Sequence, residues 1–156
     1  MDAVRSLTRQ EPDLVRQFLA EGGTLLAEFA GTGNTDGIRQ LLDVGVSVAA
    51  LYEGDPYFDI AKSSTALHVA AWRAWPSTVK LLIERGAPVN ALDGKERTAL
   101  ALAVLACVDS YWSYRRTPES VEVLLQAGAS MDGIDIPCGY DEVDRLLRRH
   151  GKRERE

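Results

Sequence analysis

An all-α solenoid of stacked helical hairpins, about three repeats between N- and C-terminal capping helices, is the fold this sequence predicts. Two observations carry it. The block Thr65-Ala66-Leu67-His68-Val69-Ala70-Ala71 returns 33 residues later as Thr98-Ala99-Leu100-Ala101-Leu102-Ala103-Val104, with a weaker copy, TLLAEFA, from Thr24. Each copy is closed by a leucine pair and a glycine: LLDVG ending at Gly45, LLIERG at Gly86 and LLQAG at Gly128. The first two closures follow their threonine by 21 residues and the third by 30, so the third unit carries nine extra residues.

Within a unit the elements follow in order. After Thr65, the small apolar residues Leu67, Val69, Ala70 and Ala71 suit a first helix packed close to its neighbours. Pro76-Ser77-Thr78 marks a restart, because proline fits a first helical turn where its missing N–H is not needed. Val79, Leu81, Leu82 and Ile83 form a second stripe, and Gly86 supplies the left-handed residue that ends a helix at low cost. One such hairpin cannot bury its apolar face alone, so neighbouring hairpins must stack into a continuous core.

These residues resemble a known family. TALHVAAWRAWPSTVKLLIERGAPVNALD, residues 65 to 93, is similar to an ankyrin repeat, whose pattern includes T-P-L-H-x-A at a 33-residue period. The copies from Thr24 to Ala50 and from Thr98 to Asp132 resemble it more loosely, and DLVRQFLAEGG (13–23) and EVDRLLRRHG (142–151) resemble second helices of flanking units. The resemblance implies a single domain divided into an N-cap (1–23), repeat 1 (24–56), repeat 2 (57–90), repeat 3 with an insertion (91–132), a C-cap (133–152) and a tail (153–156). Leu25, Ala66 and Ala99 replace the family's proline, and Glu96 stands where a turn glycine is usual, with Gly94 two residues earlier as its candidate replacement. The first finger between repeats, from Ala49 to Thr65, exceeds the second, from Asn90 to Thr98, by eight residues.

Composition bounds the function. With 156 residues, 46% hydrophobic and 26% charged, the chain can bury roughly two-thirds of its unfolded surface and needs no cross-links. Cys107 and Cys138 are therefore expected as reduced thiols, and with no histidine at ligand spacing they do not suggest zinc. No run approaches the roughly 18 apolar residues of a membrane span, and MDAVRSLTRQEPD lacks the apolar block of a secretory signal, which favours a cytoplasmic protein with no membrane partner. The tail RRHGKRERE holds five basic and two acidic side chains, so against a chain total of −5 the body carries −8. An acidic body is a poor match for nucleic acid, whose binding depends on neutralising phosphates; the basic tail reads most simply as a helix C-terminus complementing its dipole.

The candidate contact residues lie in three places. The long first finger holds Tyr52, Tyr57 and Phe58 beside Glu53, Asp55 and Asp59, with Asp55-Pro56 as a turn signal; aromatic residues in such a loop are hot-spot types, unless they fold back onto the stack. A calcium site from Glu53, Asp55 and Asp59 lacks the register of a known loop. The resemblance places Trp72, Arg73 and Trp75 near the concave groove, with Trp72 expected to be the more exposed tryptophan. The insertion from Cys107 to Glu119 is expected to lengthen the inner helix by a turn or two, bringing Asp109, Trp112 and Arg116 onto one face, with Tyr114 and Arg115 beside them. His68 matches the family's structural histidine, and no phosphate loop, serine elbow or acid–base pair is recognisable.

The expectation is a non-catalytic module that, monomeric and without a cofactor, binds another protein through its concave face and first finger, using Tyr52, Tyr57, Phe58, Trp72, Arg73, Trp112, Tyr114 and Arg115. The alternative is a small-ligand or catalytic site where the insertion meets the C-cap, using Asp109, Tyr114, Arg115, Tyr140 and Asp141.

Overall fold

A computed structural model describes residues 12–109 and 116–153. Among them the chain is helical: α1 (Pro12–Thr32), α2 (Thr35–Asp43), α3 (Ala66–Trp72), α4 (Pro76–Glu84), α5 (Ala99–Val108), α6 (Glu119–Gln126) and α7 (Asp141–Arg153). The helices form two rows. α1, α3 and α5 pack side by side as the inner row, and α2, α4, α6 and α7 follow one another as the outer row. This is an all-α, ankyrin-type helical solenoid, as the repeat pattern predicts.

The core is one layer between the rows. Leu26, Leu67 and Leu100 of the inner helices are wholly buried. Each outer helix contributes a closely spaced pair: Ile38 and Leu41, Val79 and Leu82, Val121 and Leu124, Val143 and Leu147. Each fully buried side chain of this size stabilises by roughly 1.5–3 kcal/mol relative to exposure. α5, ALALAVLACV, is apolar all round because α3 and α6 enclose it, leaving only Ala101, Leu105 and Val108 partly exposed.

The start and stop signals operate as expected in repeats 2 and 3. Thr98 Oγ1 accepts the Ala101 N–H at 3.1 Å, and Pro76 opens α4. Gly86 and Gly128 close their hairpins with φ of +87° and +84°. A Cβ at either position would meet nothing within 4 Å, so backbone conformation alone selects glycine there.

Four expectations are corrected. The helix of residues 13–23 does not end at its glycine pair, and Thr24 starts nothing: α1 runs unbroken for 21 residues through the 23/24 boundary. Gly22 and Gly23 serve close approach instead, since a Cβ on Gly22 would lie 2.6 Å from Val46 Cγ2 and one on Gly23 3.0 Å from the Leu51 carbonyl. Gly94 does not substitute for the turn glycine, because Glu96 itself adopts φ +58° while Gly94 donates its N–H to the Lys62 carbonyl at 2.7 Å, where an added Cβ would lie 2.8 Å from the same oxygen. α5 is three residues longer than α3, close to one turn, but it ends at Val108. Asp109 (φ −139°) and Arg116 are outside any helix, so they do not share a helical face; Trp112, Tyr114 and Arg115 lie outside the described residues.

Candidate functional site

The long first finger is a short antiparallel hairpin. Bridges pair Tyr52 with Ser64 and Asp55 with Ile60, and the tip is a 3₁₀ turn, Pro56–Phe58. Asp55 sets that turn: its Oδ1 accepts the Tyr57 N–H at 3.0 Å, and its carbonyl accepts the N–H of Ile60 at 2.9 Å. Asp59 then reverses the chain with φ +55°, a conformation aspartate tolerates better than most residues.

A charge cluster ties this finger to the next. Asp59 Oδ1 accepts from Lys95 Nζ, while Arg97 Nη1 reaches Asp59 Oδ2 at 3.0 Å and Arg97 Nε reaches Asp93 Oδ2 at 2.9 Å. Asp59 is therefore committed to two cations, which removes it from the calcium set. The Lys95 hydrogen bond is the chief cause that holds the Asp59 carboxyl below its ordinary range, with Arg97 adding to it against the opposing effect of burial. Burial pushes the Asp93 carboxyl up, but the N–H groups of Arg97 and Lys95 and the Arg97 guanidinium outweigh it, leaving Asp93 also below the usual range.

Three ring side chains of repeat 2 pin three neighbours. His68 Nδ1 accepts the Thr65 N–H at 3.0 Å, so Nε2 carries the proton and faces the carbonyls of Ala91 at 2.9 Å and Arg97 at 3.1 Å. This is the structural role expected of it, and burial is the main reason its pKa falls below 6.5. Trp75 donates its indole N–H to the Gly31 carbonyl at 3.0 Å and lies under Gly33, where a Cβ would come within 2.7 Å of the ring.

Trp72 reverses its expectation. It is 6% exposed, more buried than Trp75, and its indole N–H donates to the Phe58 carbonyl at 2.6 Å. The finger folds over the inner helix and covers it. Trp72 thus positions Phe58 from beneath and is not an exposed anchor.

The other residues of this region form a groove. A cavity of about 420 Å³ runs between α1, α3 and the finger, lined among others by Glu28, Tyr52, Asp55, Phe58, Ile60 and Arg73. The Arg73 guanidinium lies 4.7 Å from the centre of the Phe58 ring, within cation–π range. Tyr57 meets Phe58 edge-on at 4.9 Å and is 86% exposed. The finger aromatics therefore divide: Tyr52 and Phe58 fold back to build the wall, and Tyr57 projects from the rim. Burial raises the Tyr52 pKa, and the nearby carboxylates of Asp55 and Glu28 raise it further. Glu28 and Gly31 join the site from α1, and sequence spacing held no sign of them, because the contact depends on how the finger crosses that helix.

A second, apolar groove of about 290 Å³ follows α5, between Ala101, Leu105 and Val108 and the loop holding Ile134, Pro137 and Cys138. It takes in none of Asp109, Tyr140 or Asp141. Tyr140 donates its hydroxyl to Glu142 at 3.4 Å. Burial pushes the Cys107 thiol up to about 11, so it is inert as a nucleophile at neutral pH. Among the described residues no group of three metal-ligating side chains occurs, and no helix is long and apolar enough to cross a membrane.

Helix pairs in register, a histidine hydrogen-bonded to the next finger and a groove along the inner row define the class as a helical repeat solenoid. Residues 63–94 match the ankyrin repeat family model, and the chain is an ankyrin repeat protein. It is 36% identical over 94 residues to Inversin of Danio rerio, which covers 58% of this chain and 8% of that protein. It is also 36% identical over 84 residues to Serine/threonine-protein kinase 12 of Arabidopsis thaliana, over 54% of this chain and 17% of the kinase. A putative ankyrin repeat protein of Rickettsia bellii is 30% identical over 123 residues, 69% of this chain and 48% of that protein. The chain thus spans less than half the length of these relatives. Ankyrin repeats generally mediate protein–protein interaction and are typically non-catalytic.

Proposed function

We propose that this chain is a non-catalytic binding module that engages another protein through the groove between α1, α3 and the first finger. The observation that carries the reading is the groove itself: about 420 Å³, walled by Tyr52, Phe58 and Arg73, with Tyr57 86% exposed on its rim. The finger is held at its tip from two sides of the chain, by Trp72 on Phe58 and by Lys95 and Arg97 on Asp59, so little ordering entropy is lost when a partner docks. The residues assigned to contact are Tyr52, Tyr57, Phe58 and Arg73, with Trp72 in support. The negative balance of the chain favours a protein over nucleic acid as the partner, and a cytoplasmic monomer remains the expected free form.

Affinity capture from lysate of the source organism tests this, comparing wild type with Tyr57→Ala. Because Tyr57 is so exposed, the variant should melt within about 1 kcal/mol of wild-type stability. A protein retained by wild type and lost by the variant supports the reading; identical captured sets contradict it.

A further inference from the structure

The groove contains an imbalance of charge. In the finger region, Lys95 and Arg97 are engaged by Asp59 and Asp93, and Arg73 lies over Phe58. Glu28 and Asp55 also line the groove, yet among the described residues neither makes an ion pair. Both line the same groove as the Tyr52 ring, and both add to the rise of its hydroxyl pKa. Asp55 is held in place by the Tyr57 N–H on Oδ1, and the same groove is lined by apolar groups: Ala27, Ile60, Val69 and the ring of Tyr52. A long basic side chain laid along these apolar walls covers them with its stem while its cation meets the two carboxylates, so charge attraction adds to the apolar contact. The aromatic lining adds ring faces that attract cations, as Arg73 over Phe58 already demonstrates. The volume of about 420 Å³ falls within the range of roughly 300–1,000 Å³ typical of sites that enclose a ligand, enough for one long side chain and its neighbours.

Resting on the groove as the binding face, we infer that its occupant is a basic side chain: a partner protein inserts a Lys or Arg whose stem lies along Tyr52, Ile60 and Val69 and whose cation pairs with Glu28 and Asp55. An acidic side chain at that position would be repelled by two carboxylates and a neutral one would gain no charge attraction from them, so the groove selects by charge as well as by shape.

Selection from a displayed library of random 12-residue peptides on the intact protein, at physiological salt, tests the inference. Enriched peptides should share a Lys or Arg, and replacing it by Gln should weaken binding roughly tenfold. Glu28→Gln/Asp55→Asn should weaken the same peptide by a similar factor, with little further loss when both changes are combined. Glu84→Gln/Glu119→Gln, which removes the same charge from the outer helices, should leave binding within about twofold. Enriched peptides that lack a basic residue but lose binding with Tyr57→Ala would overturn the charge inference while leaving the groove as the binding face. A basic peptide that binds Glu28→Gln/Asp55→Asn as well as wild type would overturn it too. If no peptide is enriched, both readings fall.

Discussion

Trp72 and His68 show what single residues do here and how far each could be read in advance. His68 was legible through the resemblance of Thr65-Ala66-Leu67-His68 to the repeat motif, whose histidine has a structural role. Trp72 and Trp75 were not: both sit on one short segment, and only the path of the finger determines which is covered. Trp72→Ala should cost about 3–5 kcal/mol and markedly lower the melting temperature. Trp72→Phe should keep most of the packing but leave the Phe58 carbonyl without its donor, costing about 1–3 kcal/mol and speeding hydrogen exchange at the Ile60 amide. An unchanged melting temperature in Trp72→Ala would show that the indole does not anchor the finger. His68 gives a pH dependence of known sign. Its pKa is depressed in the fold, so the unfolded chain binds the extra proton; stability is full above about pH 6.5 and falls as pH drops through that value. Urea midpoints at pH 7.5 and 5.5 should therefore fall further for wild type than for His68→Gln, and equal falls would contradict the assignment.

At the scale of elements, fingers and turns decide more than helices. The glycine closures at 86 and 128 were legible because the same signal recurs in register. The pair at 22 and 23 carries the same local signal, yet α1 continues through it, since Gly22 admits the Val46 side chain and Gly23 the start of the finger at Ala50 and Leu51. Local sequence cannot distinguish a stop from a notch; the difference lies in a tertiary approach. Glu96 presents the converse, a left-handed residue without glycine. Replacing it relieves roughly 1–2 kcal/mol of steric cost against a smaller entropic loss in the unfolded chain. Glu96→Gly should accordingly raise stability by about 0.5–1 kcal/mol, and a lower melting temperature would refute that balance. The finger clip divides unequally as well. Lys95 and Asp59 are largely exposed, so Lys95→Ala should cost less than about 1 kcal/mol. The side chain of Asp93 is fully buried, so Arg97→Ala should cost about 3 kcal/mol by leaving that carboxylate without its cation. Denaturant titration of both variants checks the ranking.

For the molecule as a whole, the repeat period, the two-row stack and the apolar layer were legible, because each repeats a pattern that sequence displays directly. The groove was legible in its finger wall and, through the family resemblance, at Arg73. Its α1 wall, with Glu28 and Gly31, arises where elements distant in sequence meet, and no spacing encodes that meeting. The central claim is that this groove is the face that holds a partner. The most direct test is the dissociation constant of a captured partner for three forms of the chain: wild type, Tyr57→Ala on the groove rim and Arg149→Ala on the terminal helix. The account predicts at least about tenfold weaker binding for Tyr57→Ala and a change within about twofold for Arg149→Ala. Unchanged affinity in Tyr57→Ala together with a large loss in Arg149→Ala would place the partner on another face and contradict it.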